Sequence, residues 1–419
     1  YIEKMLKYLK IEINYNKEKP WLKYYKNVPE SLNYYQGSMY DYLKESVIRN
    51  EKRTAYSYYG ASVSYKGFLK RIDKIAKALT QFNIVENECV TICMPNTPES
   101  ISLIYAINKI GAIANIIHPL SSTKDIKRAL DETNSTVLFC SDTSMPNAKK
   151  IKVKHFILVP NSNSLIKVKK MIYNLKESTN LKLEGNMISW SDFISYQTLE
   201  EPYIKRKSTD PAAIIYSGGT TGKPKGIILS NLNFNAMALQ TINVCDELKP
   251  GNSVLSALPI FHVFGLALCV HTCLISGMTA ILVPKLNTKK INSELKKYKP
   301  NVYPAVPSLL KMSLEGLEFS RNGLKDIKVV VVGGDYLSQK TKNDFEKFLK
   351  EHGSNAIVKV GYGLSEASGF CSSTAPIDEK YVHNGTLGVP NPDIIIKIFE
   401  PNSDVEKCIN DIGEICVTG

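Results

Sequence analysis

Between Tyr216 and Gly226 the chain reads YSGGTTGKPKG. This stretch gathers the hydroxyls of Ser217, Thr220 and Thr221, glycines at 218, 219 and 222, and the ammonium groups of Lys223 and Lys225. These types suit a polyanion, because glycines let backbone N–H groups approach closely, hydroxyls donate to phosphate oxygens and lysines supply charge. A Walker loop requires G-x-x-x-x-G-K-[ST]. Here its first glycine would fall on Ser217, and Lys223 is followed by Pro224 rather than by a magnesium-binding hydroxyl. Proline also removes a backbone N–H from a phosphate nest. The Walker reading fails on both counts.

Three further stretches bring reactive types together. KVGYGLSEASG (359–369) sets Tyr362, Ser365 and Glu366 in a loop after a strand pattern; as an isolated string it is a turn between elements. VVVVGGDYLS (329–338) is a buried strand running into Gly333, Gly334 and Asp335, by itself a strand end with a tight turn. LPIFHVFGL (258–266) surrounds His262 with Phe261, Phe264 and Leu266, the setting of a satisfied core histidine.

The elements that must position these loops follow from hydrophobic spacing. In KGFLKRIDKIAKALTQF (66–82), Leu69, Ile72, Ala76, Leu79 and Phe82 form one stripe of a helix. CVTIC (89–93) is a short buried strand, and PNTPES opens a helix with Pro98 in its first turn. IANII (113–117) and TVLFC (136–140) are strands around a helical KDIKRALDE. Residues 160–209 are polar and irregular, a surface excursion. Strands then recur at 212–216, 253–258, 279–283, 328–332 and 356–360, with a helix over NLNFNAMALQTINV. This alternation predicts an α/β fold of parallel sheets flanked by helices. The expected units are a first α/β subdomain over 1–205, a second with the phosphate loop over 206–380, and a small β unit over 381–419.

A chain of 419 residues, 43% hydrophobic and 22% charged, is ordinary globular material with room for two or three packed units. It has no apolar run long enough to span a bilayer, and its first residues lack the apolar core of a signal peptide. Nine cysteines without a C-x-x-C pair, several in apolar runs, argue against a disulfide framework or zinc site and for a reducing cytoplasm. The net charge of +13 is spread over dispersed lysines. It reads as a solvated surface rather than a nucleic-acid site, with affinity for anionic substrates or a membrane surface as the alternative.

SGGTTGKPKG resembles the phosphate loop of the adenylate-forming (AMP-binding) superfamily, which includes acyl-CoA synthetases, aryl-CoA ligases, luciferases and peptide-synthetase adenylation domains. The resemblance runs in order from GSMYDYL (37–43) through MPNTPE (94–99) and GAIANIIHP (111–119) to GEICVTG (413–419). It implies the large domain of that family: two helix-flanked, mostly parallel β-sheet subdomains plus a small β-barrel-like subdomain. The family's C-terminal lid domain, with its ribose-binding aspartate and adenylation lysine, follows G-E-x-C-x-x-G. It is therefore expected beyond Gly419, and the start at Tyr1 suggests a trimmed N-terminus.

By the same resemblance, Ser217, Gly218, Gly219, Thr220, Thr221, Gly222 and Lys223 grip the β- and γ-phosphates of ATP. GYGLSE is similar to the Y-G-x-T-E motif, with Ser365 in place of the usual threonine. That implies Tyr362 stacking on adenine, Gly363 and Leu364 completing the loop, and Ser365 donating to the α-phosphate. Thr220, Lys225, Ser365 and Glu366 become the catalytic positions, with Thr220 and Glu366 as Mg2+ contacts. Gly333, Gly334 and Asp335 form the adenine wall, Asp335 standing where alanine is commoner. His262 and Phe264 border the acyl pocket with Val306 of PAVPSLL and Gly361.

The resemblance implies a two-step reaction: ATP and a carboxylic acid give acyl-AMP and pyrophosphate, and coenzyme A then takes the acyl group. Peptide-synthetase domains carry an aspartate near the acid pocket, but here no carboxylate lies between Glu247 and Glu294. An ammonium there would be unpaired at heavy cost, so an uncharged tail, a fatty acid, is expected. The alternatives are a fatty acyl-adenylate ligase loading a carrier protein, an aryl or short-chain acid–CoA ligase, and a catalytically inactive binding relative. The expected partners are small molecules and not nucleic acid, and the expected location is cytoplasmic or membrane-peripheral.

Overall fold

The chain builds one sheet inside the span of another. In the computed structural model, which describes residues 19–176, 183–218, 224–316, 322–408 and 410–419, strands β1 (Thr54–Tyr58) and β2 (Ala61–Ser64) come first. There follow β3 (Cys89–Cys93), β4 (Ile113–Ile116), β5 (Val137–Ser141), β6 (His155–Val159), β7 (Met187–Ser189), β8 (Pro211–Ser217) and β9 (Lys225–Ser230). These seven make a sheet of order 7-6-5-3-4-8-9, parallel except for β9, which returns antiparallel to β8.

The chain then goes back to β1. Strands β10 (Ser253–Ser256), β11 (Thr279–Leu282), β12 (Val302–Ala305), β13 (Val329–Val332), β14 (Ile357–Tyr362), β15 (Ser372–Ser373) and β16 (Val389–Pro390) complete a nine-stranded sheet. Its order is 16-15-14-13-12-10-11-1-2. The centre is parallel, and antiparallel pairs are confined to the two edges.

Sheet membership therefore changes between Ser230 and Ser253. A cut at 205/206 falls inside the seven-stranded sheet, and β1–β2 belong with the later strands. The stretch 160–209 is not structureless: it holds helices Lys167–Lys176 and Trp190–Ser195 and strand β7. The last unit consists, among the described residues, of an antiparallel ribbon of β17 (Ile395–Phe399) and β18 (Glu414–Thr418).

Helices join the two sheets into one interior. Helix Pro98–Lys109 is capped by Thr97, whose hydroxyl accepts from the Ser100 N–H at 3.2 Å, with Pro98 at its first turn. All twelve of its residues are buried, against helices Met39–Asn50 and Tyr65–Gln81 and strand β4. Its terminal Lys109 is neutralised by Asp73 at 2.7 Å and Glu201 at 3.3 Å. One cluster of buried apolar side chains continues from β3 and β4 through these helices to β10–β13, so the site loops rest on a shared core.

Candidate active site

The nine-stranded sheet reverses its growth at β10. Strand β11 lies on one side of it, whereas β12, β13 and β14 extend the other way. In open α/β sheets, ligands bind beyond the carboxyl ends of the strands at such a reversal. Here a cavity of about 350 Å³ opens there, within the range of small-molecule sites. Leu258 and Pro259 after β10, Val306 after β12, Gly333 and Gly334 after β13, and Gly361–Gly363 at the end of β14 line it. Ser365 stands at its rim.

The sequence-predicted acid-side residues meet in this one place: His262, Phe264, Val306 and Gly361 all line the cavity. Phe264 begins a π-helical segment, Phe264–Thr272, a conformation that is rare and often found at functional sites. Its ring lies 3.6 Å from the point a Cβ on Gly333 would occupy, an ordinary van der Waals distance, so the ring packs beside the diglycine turn. A Cβ on Gly265 would come within 2.0 Å of the Pro259 carbonyl oxygen. Only glycine lets the π-helix start so close to the preceding turn.

Three residues that sequence reasoning did not single out complete the apolar wall. Met237 comes from helix Asn231–Val244, Val331 from β13, and Phe370 follows the GYGLSE loop. Their types are unremarkable core residues, and only the fold brings them here. A fourth, Asn96 of MPNTPE, holds the wall in place. Its amide donates to the carbonyls of Ser256 at 2.9 Å and Leu258 at 2.8 Å, and its oxygen accepts from the Ile260 N–H at 3.0 Å. Asn96 is buried, and these bonds satisfy the turn that carries His262.

His262 stands at the open mouth, backed by Phe261, whose ring lies 4.2 Å from that of His118. Loss of solvent, and then the nearby His118, lower its pKa below the usual histidine value. The imidazole is neutral at physiological pH. Burial also raises the Tyr362 hydroxyl above the usual phenol range, so it faces the cavity as a neutral aromatic.

On the nucleotide side, Gly333, Gly334, Tyr362, Gly363 and Ser365 line the same cavity. Leu364 precedes the short 3-10 turn Ser365–Ala367, in which Glu366 is exposed. That turn lies against strand β9. Strand register sets Ser217, the end of β8, directly opposite Lys225, the start of β9. The phosphate stretch is thus the connection of a hairpin whose base carries Ser217, Gly218 and Lys225. Gly219, Thr220, Thr221, Gly222 and Lys223 lie outside the described residues. Asp335 does not line the cavity; it is exposed, and its carboxylate accepts from the Tyr336 N–H at 2.7 Å.

Residues 43–419 match the model of the AMP-binding enzyme family. The chain belongs to that family. Among its AMP-binding relatives, a long-chain-fatty-acid–CoA ligase of Bacillus subtilis is 26% identical over 414 residues, covering 96% of this chain and 73% of that protein. A probable 4-coumarate–CoA ligase of Dictyostelium discoideum is 26% identical, covering 83% of this chain and 62% of its own length. The crystal structure of a long-chain-fatty-acid–CoA ligase from Archaeoglobus fulgidus superposes with a TM-score of 0.80 at 22% identity, covering 94% of this chain and 77% of that one. This AMP-binding chain thus has the expected α/β architecture of two mostly parallel sheets.

Among the described residues, no group of three His, Cys, Asp or Glu could hold a metal ion. Mg2+ does not need such a cage, since it is commonly held by one or two carboxylates together with substrate phosphates. The exposed Glu366, on a turn beside the phosphate hairpin, is a hard oxygen donor in a suitable place.

Proposed function

We propose that this protein is an AMP-forming acyl-CoA synthetase that activates a fatty acid. The observation that carries the reading is the cavity wall. Met237, Leu258, Val263, Phe264, Val306, Val331 and Phe370 line it, and no acidic side chain among the described residues does. A charged amine on the acid would be desolvated there without a partner, whereas an aliphatic tail gains about 25 cal/mol for each Å² removed from water. The fatty-acid–CoA ligase relatives support the same choice.

The acid carboxylate attacks the α-phosphorus of ATP. An O–P bond forms, the bond to the bridging oxygen breaks, and pyrophosphate leaves. A carboxylate is a weak nucleophile facing an anion, so rate comes from placement and from groups that meet developing charge. Tyr362 and the Gly333–Gly334 turn hold the adenine, Ser365 donates to the α-phosphate, and residues 217–223 with Lys225 hold the leaving phosphates. Glu366 and Thr220 would hold Mg2+, which when bound would supply charge neutralisation at the phosphates. Neutral His262 sits where the acyl carbonyl turns toward the mouth. The thiol of coenzyme A then forms the C–S bond as AMP leaves with its oxygen and the thiol proton is lost to water. Small molecules are the partners, and a cytoplasmic place with peripheral attachment to membranes fits the basic surface.

The test is product analysis. With ATP, coenzyme A and palmitate, the intact protein is expected to give palmitoyl-CoA and AMP in equal amounts. Acyl-adenylate that accumulates without a CoA product, and that passes instead to a carrier protein, would sink the choice of acceptor.

A further inference from the structure

Helix Lys167–Lys176 is built inside out. Val168, Met171 and Ile172 fall at the three- and four-residue spacing of one helical stripe, which a surface helix normally turns toward the core. Here they are 63%, 62% and 45% exposed, and Ile166, just before the helix, is 53% exposed. The other side attaches by polar groups. Lys169 donates to the Tyr59 carbonyl, and the Tyr173 hydroxyl stands 3.4 Å from the Asp142 carboxylate and 3.5 Å from the Asn161 amide.

The sequence here is strongly basic, although Asp142 and Glu177 flank the stretch. Between Thr143 and Lys176 the sequence has eight lysines and neither aspartate nor glutamate. The exposed Lys167 borders the stripe, and Lys297 lies 5.8 Å from the ring centroid of Tyr59, which anchors the helix. Among the described residues no helix is long and apolar enough to cross a membrane. A helix with aliphatic side chains on one face and lysines beside them has the composition that lies in the headgroup layer of an anionic bilayer.

We propose that helix Lys167–Lys176 is a membrane-docking element, with Val168, Met171 and Ile172 entering the headgroup region and Lys167 and Lys170 meeting lipid phosphates. Exposed aliphatic side chains beside lysines match the two layers of an anionic bilayer surface, acyl chains below and phosphates above. The proposal concerns a surface outside the active site and stands or falls separately from the choice of substrate.

Flotation of the intact protein with vesicles tests it, using phosphatidylcholine alone or phosphatidylcholine with one part in three phosphatidylglycerol. The protein is expected to float with the anionic vesicles and to be released by salt as the charges are screened. Each lysine contributes roughly a fivefold factor near such a surface, so the double variant Lys167→Gln, Lys170→Gln should bind about thirtyfold more weakly. Met171→Ser with Ile172→Ser should lose binding even at low salt, while an ATP–pyrophosphate exchange assay with a soluble acid reads the same in all forms. The proposal is overturned by wild-type protein that stays unbound with anionic vesicles, or by serine variants that float as well as wild type. Binding to a soluble acidic protein with no binding to vesicles would overturn it too.

Discussion

Gly363 shows how tightly single residues are held in the nucleotide loop. A Cβ there would lie 1.0 Å from the Gly369 carbonyl oxygen, a backbone atom that cannot step aside. Gly363→Ala is expected to destabilise the protein by about 3 kcal/mol in urea unfolding. Gly218, with no described residue within 4 Å of its Cβ position, should accept alanine within about 0.5 kcal/mol. Glu366 makes the opposite case. It is exposed, so Glu366→Ala should leave the unfolding midpoint in place while lowering exchange on the order of a hundredfold. A parallel fall in stability and rate would mean that Glu366 is structural. The type and order of Tyr362, Ser365 and Glu366 were legible from sequence alone. The clash that makes Gly363 obligatory was not, because it depends on the chain crossing itself six residues later.

At the scale of elements, the π-helical segment is fixed at both ends by residues far away in sequence. Asn96 ties the turn before it, and Asn96→Ala would strand the Leu258 carbonyl and the Ile260 N–H, while the Ser256 carbonyl keeps the Val283 N–H at 3.2 Å. The expected cost is about 2–4 kcal/mol, with the KM for the acid rising more than that for ATP, since the turn carries His262 and Pro259. At the other end His271 is fully buried, with Nδ1 2.9 Å from the Tyr105 hydroxyl and Nε2 2.9 Å from the Asn235 oxygen. Asn235 spends its amide on the Gly37 carbonyl, so Nε2–H donates and Nδ1 accepts from Tyr105. Burial pushes the His271 pKa down to about 3.

The unfolded chain takes a proton near pH 6.5 that the folded one refuses, so stability falls as pH drops through this window. Between about pH 7 and pH 5 the loss from this residue is about 2 kcal/mol. Urea unfolding of His271→Gln should lack that part of the slope, and an identical slope would mean that His271 titrates in the folded state. Most helices and central strands could be read from periodicity, including Cys89–Cys93 and Asn231–Val244. The Asn96 and His271 contacts could not, because their partners lie more than 150 residues away in four of these bonds.

For the molecule as a whole, the order of β and α elements gave the α/β class, but not which sheet each strand would join. Strands β1 and β2 lie in a polar, tyrosine-rich stretch whose spacing carries no strong signal, yet they close the edge of the nine-stranded sheet. The residues of β8 and β9 read as part of a second unit but finish the first sheet, and β9 lies against the Ser365–Ala367 turn that follows β14. Gly333, Gly334 and Tyr362 line the apolar cavity, so under the proposed function acid and ATP meet in one space. Acid-dependent ATP–pyrophosphate exchange by the intact protein measures that meeting most directly. Exchange should be strong with dodecanoate or palmitate, weak with acetate, absent with amino acids, and cut about a hundredfold by Glu366→Ala. Exchange driven by an amino acid, or unchanged by that substitution, would contradict an apolar acid pocket joined to a Glu366-dependent ATP site.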